Sequence, residues 1–184
     1  MASLKGTLTG QNLLKAFNAE IQARDRHLHY ALIARNEGLQ HMAGLFTETA
    51  DNETAHAHHF FQFLEGGMVN ITSVTSLVIF GTTLDNLQPG ADGYQEDWSE
   101  LYPTFSEIAK KEGFAEISMT FSQIEKVEKA HKDIYHNLWI NLNLGKVLEK
   151  DGVLLWKCRN CNNIHEGNPA PDQWPACNNL QNYF

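Results

Sequence analysis

The chain has 184 residues, a formal net charge of −8 and a sequence pI of about 5.5. This length allows one well-buried domain with a small appendage, and the negative charge repels nucleic acids and anionic lipid surfaces, so neither is an expected partner. Because no stretch is apolar for long enough to cross a bilayer and the N-terminus lacks the pattern of a signal peptide, we expect a cytoplasmic protein without a membrane partner.

The first predicted helix covers residues 12–36 and carries an acidic residue on its core-facing side. Spacings of three and four place five residues on the predicted buried stripe: Leu13, Phe17, Glu20, Arg24 and Leu28. Gly38 follows in the position of a C-terminal cap. Glu20 is therefore the first candidate for a buried functional carboxylate.

The chain contains an internal duplication. Residues 34–56 and residues 109–131 repeat an Ala, a Glu-Gly pair, a Phe, a Glu and a His at a distance of 75 positions. Both copies step their apolar residues by three and four, as a helix that faces a core does, and both place the Glu and the His on that apolar stripe. The sequence thus predicts two related helical hairpins.

The duplicated acidic and imidazole residues form two Glu-x-x-His pairs, Glu53 with His56 and Glu128 with His131. A spacing of three places both side chains of a pair on one helix face. One isolated pair is more typical of a solvated helix surface, whereas a buried carboxylate needs a compensating cation. Two pairs in two apolar stripes therefore favour a dinuclear metal site.

The third predicted helix covers residues 94–111 with an interruption at Pro103, and Gly113 caps its end. Pro89 and Gly90 interrupt the stretch that leads into this helix and predict a late start. A β-branched run at residues 71–79 forms a long connection between the hairpins, as in the crossover of a ferritin-like bundle. We therefore predict an all-α fold, a ferritin-like four-helix bundle with a long crossover.

The dinuclear site needs one further carboxylate from each of the two remaining helices. Glu20 supplies one of them. The position equivalent to Glu20 in the second copy, 75 residues later, is Gln95, so its acidic neighbours Glu96, Asp97 and Glu100 are the candidates for the other. The predicted metal ligands, with Asp97 chosen, are Glu20, Glu53, His56, Asp97, Glu128 and His131. Four carboxylates balance two divalent cations, and oxygen-rich ligation with one imidazole per metal suits iron or manganese.

The composition changes at Val153, where helical periodicity ends, and we predict two domains: a di-metal bundle at residues 1–146 and a small loop and β module at residues 153–184. All three cysteines lie in this module: Cys158, Cys161 and Cys177. The position three before Cys177 is Trp174, so a pair of Cys-x-x-Cys turns is incomplete. His165, Asp172 or water completes a tetrahedral zinc or iron site on three thiolates, or the site is vestigial.

Several segments resemble the rubrerythrin family over nearly the whole chain: SLKGT, AFNAEIQAR, ETADNETAHA, FLEGG, ELYPTF and the terminal WKCRNC. The resemblance implies a di-iron protein that reduces hydrogen peroxide to water, with electrons passed through a four-cysteine iron site in a C-terminal rubredoxin-like module. It also implies four metal ligands, matched by position: Glu20, Glu53, Glu128 and His131. His56 matches a histidine that exchanges with a carboxylate when the irons change oxidation state.

The chain departs from the family near the expected metals. Two family glutamates fall on Tyr94 and Asp97. Tyr94 is a phenolate ligand, a redox-active phenol or a space-filling residue, and we favour the last two because a phenol with a pKa of about 10 ionises only when a metal forces it. His27 stands where the family has a tyrosine, either as an extra ligand or, as we favour, as a hydrogen-bonded neighbour of the ligands. We expect Tyr102 beside the site too.

We therefore expect a non-haem di-iron oxidoreductase that reduces hydrogen peroxide, in oxidative-stress defence, or reacts with dioxygen. The expected cofactors are two iron ions, with manganese or zinc as substitutes, and an altered or absent mononuclear iron or zinc site in the tail. The resemblance implies a homodimer, and the incomplete tail implies an external electron donor. The alternatives are a repurposed di-iron oxidase or oxygenase and a non-catalytic metal-binding or storage bundle.

Overall fold

The computed structural model describes residues 3–69, 71, 80–92, 98–148 and 151–184. In these ranges the chain forms α1 (Leu8–Asn36), α2 (Gln40–Phe63), α3 (Thr83–Asp92), α4 (Trp98–Lys111) and α5 (Ala115–Asn143). An antiparallel pair follows, β1 (Leu154–Lys157) and β2 (Ile164–Gly167), and a short 3-10 helix at Gln181–Tyr183 ends the chain. The predicted helical bundle with a small C-terminal module is confirmed.

Helix α1 packs along α2, and α5 packs along α3 and α4, so each half of the duplication pairs within itself. Contacts of α1 with α3 and α4, and of α2 with α5, join the two halves. No helix in the described part of the chain is both long enough and apolar enough to span a membrane.

Two hydrophobic clusters fill the bundle. The first consists of Leu13, Ala16, Phe60, Tyr102, Phe105, Ala109, Ile117, Phe121 and Ile124. The second consists of Tyr30, Ala31, Ala34, Met42, Ala43, Phe46, Leu87, Tyr135 and Leu138. On α1, α2 and α5 alike, the predicted ligands lie in the sequence between residues of one cluster and residues of the other. The polar residues thus occupy the middle of the bundle, with apolar packing on both sides.

The two predicted glycine caps adopt the same conformation. Gly38 has a φ of +79° and Gly113 a φ of +88°, which other residues rarely adopt. Leu39 N–H donates to the Ala34 carbonyl, and Phe114 N–H donates to the Ala109 carbonyl, 75 positions further on. Each glycine therefore ends its helix in a Schellman motif and starts the next helix directly.

The predicted stripe on α1 is wrong beyond Glu20, because Arg24 and Leu28 point to solvent. The buried residues there are Ala23, His27 and Tyr30 instead. Successive steps of four advance about 40° around a helix of 3.6 residues per turn, so two of them rotate the stripe away from the core. In the structure, the buried residues of this part of α1 are separated by alternating steps of four and three.

Two predicted interruptions of helices are also wrong. Pro103 lies inside α4, and Pro89 and Gly90 lie inside α3, which continues to Asp92. Each proline removes one backbone hydrogen bond, but the packing of α3 and α4 against α5 keeps both segments helical. The predicted site residues Tyr94 and Asp97 lie outside the described residues, as do Gln95, Glu96 and most of the connection at 71–79.

The C-terminal module packs against the end of the bundle where α2 begins. Arg159 approaches α2 at Gly44, and its Nη2 lies 2.9 Å from Nδ1 of His41. The His41 ring stacks on Phe184, with 5.2 Å between the ring centroids. Ala170 N–H donates to the Leu148 carbonyl. These contacts tie the module to the bundle of its own chain.

Candidate metal centre

Three helices bring five predicted ligands together inside the bundle: Glu20 from α1, Glu53 and His56 from α2, and Glu128 and His131 from α5. Glu20, Glu53 and His131 are buried, with 3%, 1% and 8% of their surfaces exposed. His56 and Glu128 are partly buried. Within each Glu-x-x-His pair the spacing of three places both side chains on one helix face, and in both pairs this face points into the same interior space.

His56 lies at the centre of three carboxylates. Its Nδ1 is 3.1 Å from an oxygen of Glu53, 3.2 Å from one of Glu128 and 3.6 Å from one of Glu20. Ligand atoms of these four residues all lie within 4.8 Å of one another, close enough to share one cation. In this arrangement the imidazole lies where positive charge compensates the carboxylates.

His131 faces the same group from the second half of the duplication. Its Nδ1 is 3.6 Å from an oxygen of Glu53 and 3.7 Å from one of Glu128. This nitrogen is buried without a hydrogen-bond partner among the described residues. On the other side of the ring, Nε2 lies 3.3 Å from the side-chain amide nitrogen of Asn52, which orients the imidazole. Nδ1 is thus buried beside two carboxylates, in a position to bind a metal when the Asn52 amide presents its oxygen instead of its nitrogen to Nε2–H.

The electrostatics of the site show how strongly it needs positive charge. Burial is the largest effect on Glu53 and raises its pKa to about 9; His56 opposes the rise, while Glu128 and Glu20 add to it. Burial lowers the pKa of His56, but hydrogen bonds to Glu128, Glu20 and Glu53 outweigh that effect and raise its pKa to about 12. Burial raises the pKa of Glu128, but His131 and His56 lower it to about 2.

These groups fit the di-metal centre that a ferritin-like bundle holds. Carboxylates crowded in a low-dielectric interior repel one another. Without a metal, Glu53 is therefore held protonated, and the imidazolium of His56 compensates the charge of the other carboxylates. Two divalent cations compensate the same carboxylates and leave both imidazoles neutral, as metal ligation requires. Oxygen-rich ligation with imidazole suits iron or manganese.

Tyr102 on α4 is hydrogen-bonded to the site, with its hydroxyl donating to Oε1 of Glu20. Its side chain is fully buried against Phe60, Phe105 and Phe121. Burial and the adjacent carboxylates raise the pKa of Tyr102 well above its ordinary value, so the phenol remains protonated. The structure thus places Tyr102 beside the site as a hydrogen-bond donor.

His27 is buried beside the second hydrophobic cluster rather than among the grouped ligands. Its ring packs against those of Tyr30, Phe46 and Tyr135, with centroid distances of 5.8, 6.3 and 5.5 Å. Burial, followed by the charges of Arg26 and His131, lowers its pKa to about 3, so the ring is neutral. Nδ1 of His27 has no hydrogen-bond partner among the described residues.

The sequence prediction missed Asn52. This residue precedes Glu53 and orients His131 from the neighbouring helix. Nothing in the periodicity distinguishes it from other polar residues on α2. By contrast, the duplication contained a signal for Tyr102, because Tyr102 on α4 is 75 positions after His27 on α1 and both residues are buried.

The three tail cysteines also meet. Their Sγ atoms lie within 4.8 Å of one another, and those of Cys158 and Cys177 are 3.7 Å apart. Cys158 is buried, whereas Cys161 and Cys177 are partly exposed. In the described part of the chain, neither His165 nor Asp172 joins this group.

A helical bundle with two internal Glu-x-x-His pairs defines a ferritin-like di-metal carboxylate protein. Comparison with known proteins narrows the class: a family model described as rubrerythrin matches residues 11–139, and one described as the rubredoxin-like domain of rubrerythrin matches residues 156–184. The chain belongs to the rubrerythrin family.

Individual relatives agree with this assignment. Rubrerythrin of Porphyromonas gingivalis is 44% identical over 182 residues, covering 99% of this chain and 91% of the relative. Rubrerythrin of Nitratidesulfovibrio vulgaris is 38% identical over 184 residues, covering 100% of this chain and 96% of the relative. A solved structure of nigerythrin in a mixed-valence state aligns with a TM-score of 0.63 at 25% identity, covering 100% of this chain and 90% of nigerythrin.

Proposed function

We propose that this chain is a non-haem di-iron oxidoreductase that reduces hydrogen peroxide and so acts in defence against oxidative stress. The observation that carries the proposal is the convergence of Glu20, Glu53, His56, Glu128 and His131 in one buried site. Family membership and the nigerythrin structures, which represent mixed-valence and all-ferrous states of that protein, support iron as the metal.

We propose Asp97 as the sixth ligand. The proposal is supported by the position of Tyr102, whose hydroxyl reaches Glu20 from α4, a helix that begins at Trp98. The start of α4 therefore approaches the site, and Asp97 immediately precedes it. With Asp97 the four carboxylates and two imidazoles satisfy the ligand requirement of a di-iron bundle.

Two ferrous ions bound here would supply the two electrons that, with two protons, convert hydrogen peroxide to two water molecules. The chain's own residues orient the ligands and exclude water. Tyr102 directs one oxygen of Glu20 and leaves the other facing His56 Nδ1. Asn52 holds His131 so that Nδ1 faces Glu53 and Glu128. Aromatic rings of both hydrophobic clusters cover the site from either side.

Stopped-flow mixing of the iron-loaded, anaerobically reduced protein with peroxide or with dioxygen tests this function. We expect oxidation by peroxide to be the faster reaction. Faster oxidation by dioxygen would contradict peroxidase function and select the oxidase or oxygenase alternative. Metal binding without multiple turnovers of either oxidant would select the storage alternative.

A matched pair of variants on α2 connects the reaction to the site. Loss of a hydrogen-bond partner of a metal ligand typically lowers activity roughly 10–100-fold. Because Glu53 is itself a proposed ligand, the peroxide rate of Glu53→Gln is expected to fall by more than that. Glu48→Gln changes an exposed carboxylate on the same helix and is expected to react like the unchanged protein. Equal rates in the two variants would contradict the proposed site.

Other parts of the proposal rest on the family alone or on sequence composition. They are a homodimer, a cytoplasmic location, an external electron donor, and a boundary between domains at 1–146 and 153–184. Size measurements in solution and expression of residues 1–146 by themselves test the first and the last.

A further inference from the structure

The tail contains two turns with the same backbone. Cys158 N–H donates to the Asn163 carbonyl, and Trp174 N–H donates to the Asn179 carbonyl, both at 2.8 Å. Asn162 N–H donates to the Cys158 carbonyl, and Asn178 N–H donates to the Trp174 carbonyl. Asn162 and Asn178 have φ values of +63° and +58°. The two turns therefore have the same hydrogen bonds and the same positive-φ position, 16 residues apart.

This correspondence pairs Cys161 with Cys177 and Cys158 with Trp174. Two such turns facing each other supply four side chains to one centre, and here only three of them are thiols. The fourth is an indole, which has an N–H donor and no lone pair for a metal. Trp174 is fully buried in the same cluster as the cysteines, and its Nε1 has no hydrogen-bond partner among the described residues.

The remaining thiols keep the geometry of a metal site. Two thiolates on a tetrahedral zinc ion, each about 2.3 Å from the metal, are about 3.8 Å apart. The Sγ atoms of Cys158 and Cys177 are 3.7 Å apart. Cys158 is buried while Cys161 and Cys177 are partly exposed, so the group opens to solvent on the side of the last two.

The two residues that could replace the missing thiolate, His165 and Asp172, lie outside the thiol group of the described residues. The His165 ring lies against the backbone of its own strand, where a Cβ added to Gly167 would be 2.7 Å from its Nε2. The Asp172 carbonyl accepts from Gln181 N–H, and its carboxylate does not join the thiol group. The tail therefore does not fit the four-thiolate iron centre that the family resemblance implies.

We infer that the tail binds one thiophilic cation with a filled d shell, such as zinc, through Cys158, Cys161 and Cys177, and that this module is structural instead of an electron carrier. Zinc accepts three protein ligands with solvent in the fourth position and does not change valence. An iron ion in this place lacks the fourth thiolate of the electron-transfer centre. The inference goes beyond the proposed function, which concerns the bundle.

Thiol reactivity tests the inference without interference from the bundle, because all the cysteines of the chain lie in the tail. The full-length protein is reduced, stripped of metal and mixed with a thiol reagent, with and without Zn²⁺. We expect Zn²⁺ to slow the reaction of three thiols per chain at least tenfold. In Cys158→Ser the same Zn²⁺ concentration is expected to protect the two remaining thiols at least tenfold less. Unchanged rates in the presence of Zn²⁺ would overturn the inference.

Position 174 offers a second, independent measurement. After iron loading in air, the unchanged protein is expected to lack the visible absorption of a ferric ion bound by four thiolates, and Trp174→Cys is expected to acquire it. Trp174→Phe removes the indole without adding a thiol and serves as the control without this absorption. Tetrathiolate absorption in the unchanged protein, or its absence from folded Trp174→Cys, would overturn the inference. If Trp174→Cys does not fold, the thiol measurement decides.

Discussion

Glu37 and Glu112, 75 positions apart, have the same role, because each caps the N-terminus of a helix in the other half of the bundle. Both carboxylate oxygens of Glu37 accept from Thr83 N–H, at 3.0 and 3.1 Å, where α3 begins. Glu112 accepts from Leu8 N–H at 3.1 Å and from Thr9 N–H at 2.8 Å, where α1 begins. Glu37 directly follows α1 and caps the start of α3, whereas Glu112 directly follows α4 and caps the start of α1, so each residue caps a helix of the other half. The reciprocal caps connect the two halves on either side of the Glu and His cluster.

Glu112→Gln is expected to lower the melting temperature at pH 7, because a neutral amide interacts less favourably with the N-terminus of α1. Hydrogen bonds from the Thr9 hydroxyl and from the Thr9 and Leu8 backbone hold the pKa of Glu112 below its usual value. The charged form therefore stabilises the folded state above the ordinary carboxyl pKa, and this contribution disappears as the pH falls through the lowered pKa.

Thermal unfolding of Glu112→Gln and of the unchanged protein across a pH series measures this effect. The difference in melting temperature should shrink as the pH falls below the usual range of a glutamate. Glu107→Gln, at an exposed position on α4 five residues before Glu112, is the control. An equal loss in both variants at pH 7 would show that the cap contributes nothing specific.

Tyr102→Phe is expected to keep the fold and impair the site. The ring remains in the first hydrophobic cluster, while Oε1 of Glu20 loses its donor. Loss of a partner that orients a ligand typically costs about 10–100-fold in metal affinity or rate. Ferrous ion titration and stopped-flow peroxide oxidation measure the two quantities.

Tyr135→Phe is the matched control for Tyr102→Phe. It removes a buried hydroxyl from the second hydrophobic cluster, one that donates to no carboxylate of the site within the described residues. We expect a much smaller change in iron affinity and peroxide rate. Equal effects of the two variants would contradict the orienting role of Tyr102.

Ferrous ion is expected to stabilise the bundle, because the folded state alone presents the converged ligands. Binding at 100 times the dissociation constant adds about 2.7 kcal/mol by mass action. Calorimetry of the stripped protein with and without ferrous ion under anaerobic conditions measures the rise in melting temperature. Glu128→Ala is expected to lose most of the rise; if it retains the full rise, the iron binds elsewhere.

Gly38→Ala and Gly113→Ala separate backbone strain from tail docking. Both positions have positive φ, so each alanine is expected to cost about 1 kcal/mol in the free energy of unfolding. A Cβ at position 38 would also lie 2.5 Å from Nδ2 of Asn182, whereas one at position 113 meets nothing within 4 Å. Only Gly38→Ala is therefore expected to loosen the tail. Limited proteolysis measures this, and equal cleavage in both variants would argue against docking at Gly38.

The sequence by itself determined the parts that depend on local periodicity. The duplication identified two Glu-x-x-His pairs; a spacing of three places both side chains of a pair on one face of an α-helix, and the apolar stripes indicated that this face points inward. Gly38 and Gly113 end helices because few other residues adopt their φ. The same local reasoning was wrong for Arg24 and Leu28, because equal steps of four rotate out of the core, and for Pro89, because packing outweighed the loss of one hydrogen bond.

Only the tertiary structure decided how the ligands meet. The pairing of Tyr102 with Glu20, and of Asn52 with His131, joins residues on different helices that are 82 and 79 positions apart. The burial that raises the pKa of Glu53 likewise comes from neighbouring helices. In the tail, the sequence already identified Trp174 in the fourth place, and the structure showed that the three thiols meet and that neither His165 nor Asp172 joins them in the described part of the chain. Periodicity within one segment indicates which face of a helix is buried. It does not indicate which distant residues pack against that face, because this depends on how the helices and turns pack together.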